Sequence, residues 1–174
     1  EKLRATLRFA EQSLPAELKP LLTPLALHER FIYADYLESM ARQVEDSWTR
    51  ERIDRFLGAL SVAGLVRDRG QAIYELHPAL TGFLRSERPG QPPAALRDAW
   101  TRAFVEVMGS MTDALAPRPL HEQRSPFYLH EANFHVARDE AGRLGMEQDF
   151  AALTQALAFY AQNTRDFASA EALF

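Results

Sequence analysis

Cysteine is absent from this chain of 174 residues. That excludes disulfides, thiolate metal sites and cysteine nucleophiles, and it suits a reducing compartment, so the cytoplasm is the expected setting. No run of about eighteen apolar residues is present to cross a bilayer. Nor does an apolar block follow Glu1-Lys2-Leu3-Arg4 as it would in a signal peptide, so no membrane partner is expected. Positive charge is not in excess: 20 Lys+Arg stand against 24 Asp+Glu, and the first 90 residues carry 13 of each. Strong general binding to nucleic acid rests on neutralising phosphates and is therefore disfavoured. No serine sits in a nucleophile motif. The carboxylate pairs Glu45-Asp46 and Asp139-Glu140 are adjacent, so their members point to different faces and suit capping or solvent better than acid–base work. No enzymatic activity is expected of these residues.

What is present is enough apolar material, 47% of the chain, to build one largish domain or two small ones. The stretch from Trp48 to Leu84 organises the rest. Ile53, Phe56, Leu57 and Leu60 fall at i, i+3, i+4 and i+7, one stripe of a helix that Ser47 or Thr49 can cap and Gly64 can end. Leu65-Val66-Arg67 and Ile73-Tyr74-Glu75-Leu76 then read as strands around Asp68-Arg69-Gly70-Gln71, a turn. His77-Pro78 opens a further helix through Leu80, Phe83 and Leu84. Upstream, Leu18, Leu21, Leu22 and Leu25 make a stripe interrupted by Pro20 and Pro24, which predicts an irregular helix. Tyr33, Leu37, Met40, Ala41 and Val44 predict a regular one. Three helices closed by a short β-hairpin form a winged-helix domain.

Three prolines and a glycine between Ser86 and Pro93 mark a domain boundary. Beyond it everything reads as helix. Leu96, Trp100, Phe104, Met108 and Leu115 form a long stripe ended by Pro117 and Pro119, with a loop to Pro126. Leu129, Phe134, Ala137 and Ala141 then mark one helix, Gly145 a tight turn, and Phe150, Leu153, Leu157 and Tyr160 its antiparallel partner. A further helix is expected to start near Arg165. Helix pairs recurring after about forty residues are the pattern of an α-solenoid. The fold class is thus mainly α, a winged-helix domain followed by tetratricopeptide-like helical repeats.

Several runs carry a family resemblance: Leu14-Pro15 with Leu18-Lys19-Pro20-Leu21-Leu22, the helix end Leu60 to Val66, Tyr74-Glu75-Leu76-His77-Pro78, and Glu131-Ala132-Asn133-Phe134 with Ala137, Ala141 and Gly145. Together they resemble the winged-helix and tetratricopeptide-like region of STAND-type NTPases, the signal-transducing ATPases that include bacterial regulators and NB-ARC immune receptors. The resemblance implies that residues 1–14 are the tail of a preceding helical domain, 15–88 the winged helix and 94–174 a truncated set of repeats. It also implies a nucleotide-binding domain upstream as the partner in cis, because no G-x-x-x-x-G-K-[ST] occurs here. ATP or ADP would then belong to the full-length protein, with no cofactor in this fragment. A protein or small-molecule ligand on the repeats and oligomerisation on activation are further implications. Members often carry Met-His-Asp at the end of the winged helix, whose histidine touches the nucleotide phosphate; Leu76-His77-Pro78 keeps only the histidine.

His77 accordingly has two readings, a phosphate-sensing switch residue and a helix cap before Pro78. The helix from Trp48 to Ala63 likewise has two. Arg50, Arg52 and Arg55, with Arg67 and Arg69 on the wing, could face DNA in a winged-helix transcription regulator, or form a solvated face with Glu51, Asp54 and Asp68 among them. A third function class is a scaffold binding a peptide along Trp100, Phe104, Phe127, Tyr128, Phe134, Phe150, Phe159, Tyr160 and Phe167. The same aromatics could simply pack helix on helix. His130 and His135 are five residues apart and roughly 140° apart on a helix. Glu131 and His135 do have ligand spacing but lack a third group, so no metal is expected.

Overall fold

The structure, a computed structural model, describes residues 13–86, 92–164, 166, 171 and 173. All but the last two residues of the expected N-terminal tail, most of the proline-rich boundary and most of the helix expected near Arg165 lie outside the described residues. The chain is mainly α, with helix making up 73% of the structure and, among the described residues, seven helices and a small three-stranded sheet. Among the described residues no helix is long and apolar enough to cross a membrane. The chain divides into two compact units, residues 1–103 and 104–174.

The first unit opens with a 3-10 turn, Ala16–Leu21, that runs into the single-turn helix α1, Leu22–Leu25. Pro20 and Pro24 keep this segment from forming one regular helix, because each removes a backbone donor. There follow β1 (Phe31–Tyr33), α2 (Ala34–Val44), α3 (Arg50–Val62), β2 (Val66–Asp68), β3 (Ile73–Leu76) and α4 (Pro78–Ser86). The stripe Ile53, Phe56, Leu57 and Leu60 of α3 is essentially inaccessible, as are Leu37, Met40 and Ala41 of α2 and Leu18, Leu21 and Leu25 before them. Each large apolar side chain among them contributes roughly 1.5–3 kcal/mol when removed from water. Thr49 caps α3, its Oγ1 accepting from the Arg52 N–H at 3.4 Å. Gly64, at φ 70°, ends the helix with Leu65 N–H donating to the Leu60 carbonyl at 2.9 Å.

The sheet has the order β1-β3-β2, all antiparallel. β3 is central: Tyr74 stands opposite Ile32 on one side and Asp68 on the other. The sequence pattern predicted the hairpin but not β1, assigning Tyr33 to the helix that in fact begins at Ala34. Three residues are too few for a two-residue period to register, and what makes them a strand is pairing with residues some forty positions away. The hairpin turn is built by Asp68, whose Oδ1 accepts from the Gly70 N–H at 2.7 Å. Gly70, Gln71 and Ala72 all have positive φ. The two non-glycine members are held there in part because the Ala72 carbonyl accepts from the Ala34 N–H at 2.9 Å.

α5 (Ala94–Leu115) contains the division at residue 103; α6 (Leu120–Leu144) and α7 (Glu147–Asn163) belong to the second unit. α6 and α7 form a helical hairpin around Gly145, at φ 68°, with the Met146 N–H donating to the Ala141 carbonyl at 2.9 Å. Ala137 and Ala141 of α6 and Leu153 and Leu157 of α7 are buried. Phe127 stacks on Tyr160 with centroids 3.8 Å apart. α6 begins at Leu120 and carries Pro126 within it, where the sequence suggested a loop up to that proline. Buried Gln123 and Phe127 flank the proline, and Gln123 Nε2 donates to the Arg118 carbonyl at 2.6 Å. Packing therefore offsets the lost backbone bond.

Two glycines of this hairpin should respond with opposite sign. Gly145→Ala is expected to destabilise by about 1–2 kcal/mol, because a Cβ disfavours the left-handed conformation. At Gly142, inside α6, an added Cβ would meet Phe150 at an ordinary 3.5 Å, so Gly142→Ala should stabilise by about 0.4–1 kcal/mol. Urea midpoints of the two variants measure both.

Candidate functional site

His77 ends β3 and precedes Pro78. Its backbone N–H donates to the Leu65 carbonyl at 2.9 Å, and its Nδ1 accepts from the Ala79 N–H at 3.2 Å. This is the geometry of an N-cap for α4: Pro78 needs no partner for its nitrogen, and the imidazole satisfies the next free donor. Using Nδ1 as acceptor puts the ring proton on Nε2 in the neutral form. The side chain is exposed, so a second contact through Nε2 is compatible with the cap.

The arginines considered for a DNA face are nearly all engaged within their own unit. Arg50 contacts Asp35 and donates from Nε to Asp54 at 2.7 Å. The Tyr33 hydroxyl, hydrogen-bonded to Asp35, holds that carboxylate below its ordinary range, and Arg50 adds to the effect against partial burial. Arg52 lies over the Trp48 ring at 4.0 Å, and its guanidinium donates to the Glu17 carbonyl at 3.2 Å. Arg55 reaches the Glu17 carboxylate at 3.3 Å. On the wing, Arg69 is bound by Glu75, and the exposed Arg67 stands opposite Glu75 in the strand register. Among the described residues, this face lacks a row of free cations able to meet phosphate. The neutralising carboxylates Glu17 and Asp35 carried no signal in the sequence, since they sit 15 to 38 positions from the arginines they serve.

The histidines separate in the same way. His28 is buried and its Nδ1 donates to the Pro24 carbonyl at 2.9 Å. His130 is buried in α6, with Asn133 Nδ2 3.4 Å from its Nδ1. Burial lowers its pKa to about 4. His135 is half-buried and also shifted down, by burial first and by Arg138 second. Among the described residues no group of three His, Asp or Glu side chains could hold a metal ion.

No family model, curated protein or solved structure matches the chain. Function must therefore be argued from its own geometry. Of the aromatics considered for a peptide groove, Trp100, Phe104, Phe127 and Phe134 are buried and Tyr160 is half-buried against Phe127. Tyr128, Phe150 and Phe159 remain exposed, and Phe167 lies outside the described residues. Phe150 and Phe159, nine positions and so about 180° apart on α7, edge a groove of about 460 Å³ from opposite sides.

Replacing His77 with Ala should cost about 1 kcal/mol of unfolding free energy through the lost cap, and His77→Asn, which can also cap, should restore most of it. Chemical denaturation reads both. For His130 the folded pKa of about 4 lies below the ordinary 6.5, so protonation favours the unfolded chain. Its contribution is full above pH 6.5 and falls as pH drops toward 4, by at most about 1.4 kcal/mol per unit. Urea midpoints measured from pH 7 down to about 5, above most carboxylate titrations, should slope for the native chain and slope less in His130→Leu, the remainder coming from His135, whose pKa is also lowered.

Proposed function

We propose that the chain is a non-catalytic regulatory piece of a STAND-like ATPase. A winged helix here would join an upstream nucleotide-binding domain to tetratricopeptide-like sensor repeats. The observation that carries this reading is the arrangement of the first unit: helical turn, strand, two helices and a hairpin, in a sheet ordered β1-β3-β2. A winged helix uses that order of elements. The α6–α7 hairpin, closed by a left-handed glycine with alanines between the helices, supports the repeat reading of the second unit.

The charge lattice on α3 favours a winged helix that works by packing against protein over one that reads DNA. A phosphate would have to displace Asp35, Asp54, Glu17 or Glu75 before meeting Arg50, Arg55 or Arg69. His77 would serve the relay as a donor from Nε2 to nucleotide phosphate while Nδ1 caps α4. Ligand or partner binding on the repeats would then shift the winged helix between a closed, ADP-bound arrangement and an open one.

Two measurements test this. The chain should give no mobility shift with duplex DNA at roughly 50 mM salt, where phosphate-driven binding is strong; a shift abolished by Arg50→Ala and Arg55→Ala would transfer the function to DNA binding. In the full-length protein the adjoining coding sequence should contain a P-loop, and His77→Ala should speed ADP release where His77→Asn alone, though it caps, does not restore it. Absence of a P-loop would end the proposal.

A further inference from the structure

We draw no further inference here: the strongest candidate, the groove along α7 edged by Phe150 and Phe159 with the buried Thr154 in its wall, carries nothing because nothing in the structure shows what covers it.

Discussion

Strand β3 pairs with β1 on one edge and with β2 on the other, and those two short ladders set Phe31 against Glu75 and Val66 against Leu76. Everything in the first unit hangs on that closure. It brings the end of the 3-10/α1 segment to the wing, fixes where α2 starts and places α4 after the last strand. Closing a loop of this length costs little more than closing a short one, because the entropy grows only with the logarithm of length. The buried stripe of α3 supplies the apolar area that holds the strands in place, since strands of three or four residues are not stable alone. Helices and sheet in this unit are therefore one cooperative object.

The same closure determines the electrostatics. Asp35 lies just past β1 and Glu17 in the 3-10 turn, and only the folded unit brings them to Arg50 and Arg55. Individually these exposed pairs contribute little to stability. Their consequence is functional: a helix that could have offered a row of cations instead presents a surface of alternating, mutually engaged charge. That surface suits contact with another folded surface, where complementarity sets orientation and partner choice.

The second unit follows a different logic. Its helical hairpin is local, held by a turn at Gly145 and by small residues that admit close packing. Local contacts form without long loop closure, and one face of α7 is left over once α6 is covered.

Much of the secondary structure was legible because it is decided locally. The α3 stripe, its end at Gly64, the β-hairpin around Gly70, the long α5 and the turn at Gly145 all follow from side-chain period and from backbone conformations that glycine adopts most readily. Three features were decided only by tertiary structure. β1 became a strand because β3 was there to pair with it. α6 began at Leu120, ahead of Pro126, because buried Gln123 and Phe127 offset the proline. The arginines of α3 were occupied because Glu17 and Asp35 arrived from distant positions. Composition and period act over a few residues, whereas pairing, burial and neutralisation depend on which distant residues the fold brings within a few ångströms.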